Sequence, residues 1–183
     1  MLISLNLKRT LVISLSYFFL FWVSLSALPS VLNTVSHYEH ASITYLPHGV
    51  RVIAAWLYGW KSILYLAPGS YAAHLSWSGK SFNDLSAIDV TSPIFGIICV
   101  ALTFELVARL GPELRMSSGQ LPSWRAVLLV GAAGSIINAL GFNLIVQNPI
   151  EMISAYFVGD VSGMILLFLT LMMMFRGLRR VGY

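Results

Sequence analysis

Charge is scarce in this sequence. Eleven Lys and Arg and seven Asp and Glu make up 10% of 183 residues, whereas a soluble domain carries about 25%. So few charges cannot cover a surface that meets water on every side. Cysteine is nearly absent as well. The single Cys99 lies in an apolar run with Ile97, Ile98 and Val100, which excludes an internal disulfide framework and a cysteine-based metal cluster. The motifs HExxH, GxSxG and the P-loop do not occur, so the catalytic arrangements they support are not expected. His37, Glu39 and His40 form a small cluster, but no second ligand pair has zinc-site spacing, and no metal and no cofactor are expected. An intramembrane aspartyl protease needs two acidic residues at matching depth. Asp160 has no such partner, because Glu105 belongs near the other face. The chain reads as non-enzymatic.

What the sequence does have is apolar length: 57% of its residues are hydrophobic. The polar residues cluster between long apolar runs, as in a bundle of membrane-spanning helices. The expected fold is all-α, one integral membrane domain over residues 1–183. Its six spans lie near Thr10–Leu28, Ile43–Tyr58, Ser62–Trp77, Thr91–Ala108, Arg125–Val146 and Met152–Phe175. Lys8 and Arg9 ahead of the first run resemble a secretory signal. That run exceeds the roughly 7–15 apolar residues of a cleaved signal, so it is expected to be a retained span.

The net charge of +4 does not point to nucleic acid, because the cations sit at the ends of apolar runs. Alternating sides from the first span puts Lys8, Arg9, Lys61, Arg109, Arg115, Arg125, Arg176, Arg179 and Arg180 on one side. Only Arg51 and Lys80 fall on the other half. The positive-inside rule then makes both termini cytoplasmic. The outer loops read Asn33–His40, Gly79–Asp89 and Gln147–Pro149. A long inner loop, Leu110–Trp124, carries Gly111-Pro112 and Leu121-Pro122 as helix stops. Trp22, Tyr38, Tyr45, Trp56, Tyr58, Trp60, Trp77 and Trp124 lie at the depths of interface anchors.

The second and third spans are short. Pro47 opens the second where proline is tolerated. Pro68-Gly69 is expected to interrupt the third, since Pro68 cannot donate to the Leu64 carbonyl. Broken, short helices mark binding sites in many membrane proteins. Small residues spaced four apart let helices approach closely. These are Gly69 with Ala73, Gly131 with Ser135, and Gly159 with Gly163, and they predict interior positions for the third, fifth and sixth spans.

Asp160 lies inside the last apolar run, where an unpaired charge costs on the order of 3 kcal/mol. Depth matching gathers Arg51, Asp160, His48, His74, Asn138 and Asn143 into one outward-facing polar layer, with Arg51 and Asp160 as its natural ion pair. The layer either binds a small polar ligand or locks the bundle. Glu105 and Arg109 read as a helix-surface pair.

Leu46-Pro47-His48-Gly49-Val50-Arg51, Gly59, Pro68-Gly69-Ser70 and Gly159-Asp160 with Gly163 resemble the bacterial membrane-associated sensor domains of the MASE type. The likeness covers roughly a third of the chain. It implies a module that senses a signal and passes it to a cytoplasmic output domain. None follows Arg176-Gly177-Leu178-Arg179-Arg180 here, so a separate partner protein is implied. The chain is also similar in size and polarity to the substrate-binding S-components of energy-coupling-factor transporters, although their small-residue motif is missing from Thr10–Leu28. A third expectation is an accessory subunit of a larger respiratory or photosynthetic complex. Membrane lipid is a partner in all three.

Overall fold

The computed structural model describes residues 2–27, 44–111, 114–116, 123–146 and 150–180. The expected outer loop with His37, Tyr38, Glu39 and His40, the Pro112 and Leu121-Pro122 stops, and the Gln147–Pro149 turn lie outside these residues. The described residues form an all-helical structure. Its six α-helices are α1 (Leu2–Trp22), α2 (Leu46–Tyr58), α3 (Lys61–Ser78), α4 (Ala87–Leu110), α5 (Trp124–Val146) and α6 (Glu151–Arg180). A π turn, Val23–Ala27, continues α1, and a short 3-10 turn, Phe82–Asp84, precedes α4.

Four of these segments are long and apolar enough to cross a membrane: Leu5–Ser26, Ala87–Leu110, Trp124–Ile145 and Met152–Arg180. The two short helices differ from them. α2 has 13 residues, about 20 Å at the helical rise, against a hydrocarbon core of roughly 30 Å. α3 has 18 residues and carries Lys61, Pro68 and His74.

α3 also departs from the sequence expectation, because it runs through Pro68 without interruption. The proline ring faces outward. The nearby Tyr65 carbonyl accepts a hydrogen bond from the Ser14 hydroxyl of α1 at 2.7 Å. A helix loses one internal bond at a proline, and neighbouring polar groups make up part of that loss.

α2 occupies the middle of the bundle. It packs against each of the other five helices, and α1, α3, α4, α5 and α6 follow one another around it. Nine of its 13 residues are buried. Among the described residues the ring stays open between α1 and α6, which make no contact with each other there, and α2 bridges them. The sequence expectation put α3, α5 and α6 inside. Their glycines do lie at contacts, but the shared neighbour is α2 or the residue before it. Gly163 of α6 lies against the Tyr45 backbone, and Gly131 of α5 against Val52 and Met164. Gly69 of α3 meets the Ser14 backbone of α1 instead.

Consecutive helices run antiparallel. At one end, Tyr65 donates to Asn6 Oδ1 at 3.0 Å and the Arg9 guanidinium lies over the Tyr58 ring. At the same end the Trp60 indole N–H donates to Glu105 at 3.3 Å. Glu105 also pairs with Arg109 at 3.0 Å and Arg115 at 2.8 Å. The expected Glu105–Arg109 pair is therefore present, within a slightly larger group that ties the α2–α3 turn to α4.

Candidate functional site

The start of α2 lies inside the bundle, and its backbone must find partners there. The first amide N–H groups of any helix lack internal acceptors. Leu46 N–H donates to the Ser24 hydroxyl at 2.9 Å, and Pro47 has no N–H to satisfy. His48 N–H returns to the Tyr45 carbonyl at 3.2 Å, and Tyr45 N–H donates to the Gly159 carbonyl of α6 at 2.8 Å. Only glycine at 163 allows the Tyr45 backbone to come this close to α6.

Asp160 follows Gly159 directly and is 4% exposed. Its Oδ2 accepts from Asn138 Nδ2 at 2.8 Å and from the Ser135 hydroxyl at 3.3 Å. Both donors come from α5, one turn apart. The third neighbour is His48 Nδ1, at 3.4 Å. That distance is within ion-pair range, but the angle is not that of a hydrogen bond, and Nδ1 has no hydrogen-bond partner. The other ring nitrogen, Nε2, is 3.1 Å from the Gly131 carbonyl. His48 is fully buried. Cys99 of α4 adjoins the same group: its thiol donates to the Gly96 carbonyl at 3.2 Å and to Asn138 Oδ1 at 3.6 Å.

Arg51 does not pair with Asp160. Among the described residues no carboxylate lies within ion-pair distance of it. Its Nη2 donates instead to the Tyr17 hydroxyl at 2.7 Å and reaches the Tyr45 hydroxyl at 3.5 Å. The guanidinium carbon sits 5.5 Å from the Tyr17 ring centroid and 5.4 Å from that of Tyr45. Ring faces attract a cation, the more so when it is desolvated. Gly96 of α4 leaves room for the guanidinium, since a Cβ there would stand 3.0 Å from Nη2. Arg51 is 6% exposed, and its Nε has no partner. The expected pair fails because equal depth does not place two side chains on the same side of α2. His48, one turn earlier, faces α5 and α6, whereas Arg51 faces α1 and α4.

The six expected site residues therefore divide. Asp160, His48 and Asn138 meet around one carboxylate oxygen. Arg51 sits beside them with two tyrosines. His74 belongs elsewhere: its Nε2 lies 3.3 Å from Asp89, which also pairs with Lys80 at 2.7 Å and caps α4 through Ser86. Asn143 is half-buried on α5, more than a turn beyond Asn138. Gly159 supplies a backbone carbonyl, and Gly69, Gly131 and Gly163 supply close approach.

Sequence reasoning missed Tyr17, Tyr45 and Ser135 as site residues. Tyr45 had been placed among the interface anchors. A tyrosine in mid-span, such as Tyr17, was the available signal, because its hydroxyl needs a partner away from water. Among the described residues no three His, Cys, Asp or Glu side chains come together as a metal site would need. The chain matches no family model, no curated protein and no solved structure.

Proposed function

We propose that this chain is a multi-pass protein of the bacterial inner membrane, with both termini cytoplasmic. In this reading it is a non-enzymatic sensor that binds a small polar ligand at the cluster around α2 and acts through a partner protein. One observation carries the proposal: among the described residues, Arg51 is a buried cation with an unpartnered Nε and no carboxylate within ion-pair distance. Such groups within a membrane bundle are kept for function more often than for stability. The orientation is supported by the basic residues near Arg9, Arg109 and Arg115. They lie at the end of the bundle away from the start of α2, which leaves the cluster in the outer half. The partial resemblance to MASE-type sensor domains points the same way.

A structural reading has one observation in its favour. Asp160 already has two hydrogen-bond donors and an imidazole, so it does not need a ligand. Under that reading the chain is an accessory subunit of a larger membrane complex. Purification in mild detergent followed by native mass spectrometry separates the two. The sensor reading expects a small-molecule adduct on the wild type that is lost in Arg51→Gln, with normal accumulation of both proteins. Co-purification with a large complex in fixed stoichiometry, unchanged by Arg51→Gln, would refute it. ATP-driven accumulation of the bound molecule would instead mark a transporter S-component.

A further inference from the structure

We propose that His48 and Asp160 form a buried proton-binding site, which takes one proton beyond those of a neutral imidazole and an ionised carboxylate. The inference rests on the reading of the cluster as a binding site, and it names the proton as one of its ligands.

A backbone carbonyl only accepts, so the 3.1 Å contact of Nε2 with the Gly131 carbonyl requires a hydrogen on Nε2. Nδ1 lies 3.4 Å from Asp160 Oδ2 and has no hydrogen-bond partner among the described residues. A neutral imidazole has one N–H, which the Gly131 carbonyl places on Nε2, so Nδ1 keeps a bare lone pair beside the carboxylate. In the neutral state one ring nitrogen turns a lone pair toward an oxygen lone pair, in a site closed to water. One added proton removes the conflict, whether it rests on Nδ1 as imidazolium or on Oδ2 as carboxylic acid. The two arrangements differ only by transfer across the 3.4 Å gap, and they carry the same net charge.

The surroundings set the charge of each state. Facing the pair are Arg51 from α2, Cys99 from α4, and the Tyr17 and Tyr45 hydroxyls from α1 and the segment before α2. α5 contributes only the neutral Ser135 and Asn138. The ionisable groups of α3 bind elsewhere: Tyr65 to Asn6, Tyr71 to the Val90 carbonyl and His74 to Asp89; Lys61 is exposed. Without the extra proton, Arg51 and Asp160 balance. With it, the cluster is a net cation. Loading therefore favours an anion beside Arg51 and loosens the hold of Asp160 on its neighbours.

The test uses the full chain in lipid nanodiscs with 15N-labelled histidine, titrated by solid-state NMR, and carboxyl stretching bands followed by infrared difference spectroscopy. The expected result is uptake of one proton per chain by this pair as pH falls, seen as a shift of His48 to imidazolium or as a new carboxylic-acid band. Both signals are lost in Asp160→Asn, and His74→Gln leaves them unchanged. The proposal is overturned if wild-type His48 keeps one neutral tautomer, and Asp160 stays ionised, at every pH where the fold persists. Because that measurement needs no variant, poor folding of Asp160→Asn does not blunt it. If the proton titrates but no small-molecule adduct is found, the sensor reading fails for an organic ligand while the proton site stands.

Discussion

Gly163→Ala tests how the start of α2 is held. A Cβ at this position would collide with the backbone N, C and O of Tyr45, all closer than real Cβ contacts come. Backbone cannot swing aside as a flexible side chain can. Tyr45 is also fixed from several directions: its N–H donates to Gly159, its carbonyl accepts from His48, and the next amide donates to Ser24. Relief requires α2 to move away from α6 at this point. Overpacking of this kind costs about 2 kcal/mol. Losing two of the hydrogen bonds costs about 1 kcal/mol each, and alanine returns about 1 kcal/mol of helix propensity. The sum is a destabilisation of about 3 kcal/mol, or roughly 100-fold in the folding equilibrium. Gly177→Ala, in the same helix, is the control. Nothing lies within 4 Å of a Cβ there, so only the propensity gain of up to about 1 kcal/mol applies. The chain supplies its own reporter, since Cys99 is the only cysteine and is buried. Its reaction with a thiol-activated fluorophore during heating in detergent gives the unfolding midpoint. The expected order is Gly163→Ala well below wild type and Gly177→Ala at or above it. Equal midpoints for the two variants would refute the close contact between Tyr45 and α6.

Three further outcomes follow from the same geometry. Tyr17→Phe and Arg51→Met, combined in a double-mutant cycle by the same thermal assay, should show a coupling of about 1.5–3 kcal/mol; additive effects would mean that the 2.7 Å contact contributes nothing. Ser24→Ala leaves the Leu46 amide without its acceptor inside the bundle and should lower stability by about 1–2 kcal/mol, whereas Ser16→Ala, at an exposed position of α1, serves as the comparison expected to leave the midpoint unchanged. Pro68→Ala should raise the midpoint, because the helix already runs through this outward-facing position and alanine restores an N–H for the Leu64 carbonyl; a fall would show that the proline shapes α3 in a way that its continuous course does not reveal.

Much of the helical layout was legible because apolar length is a local property of the chain. The expected segment Arg125–Val146 and the observed α5 differ by one residue at one end. At the second segment, Ile43–Tyr58 against Leu46–Tyr58, the difference is also small. What the sequence did not reveal is that this short helix is the central one. His48 and Arg51 give it a polar side that reads as exposed but is buried, and a helix too short to span looks weaker, not more interior. The site was half legible for a related reason. Depth is additive along a helix and follows from residue number, and His48, Asn138 and Asp160, matched in depth, do lie together. Direction around the axis depends on where the neighbours stand. That is why Arg51 was matched to Asp160 instead of Tyr17, and why His74 was drawn into a layer it does not join. Pro68 misled for a different reason: a proline removes one hydrogen bond, and the remaining bonds with the α1 contact are enough to carry the helix on.

The central place of α2 also bears on how the protein is made. α2 leaves the ribosome second among the described helices, with His48 and Arg51 along one short apolar stretch that is poorly suited to lipid by itself. The groups that accept it arrive much later: Gly131, Ser135 and Asn138 with α5, and Asp160 and the Gly159 carbonyl with α6. Until then α2 has only α1, α3 and α4 to shelter it. Insertion helix by helix therefore leaves an unfinished intermediate, and the bundle closes around its own middle only when α6 has been synthesised.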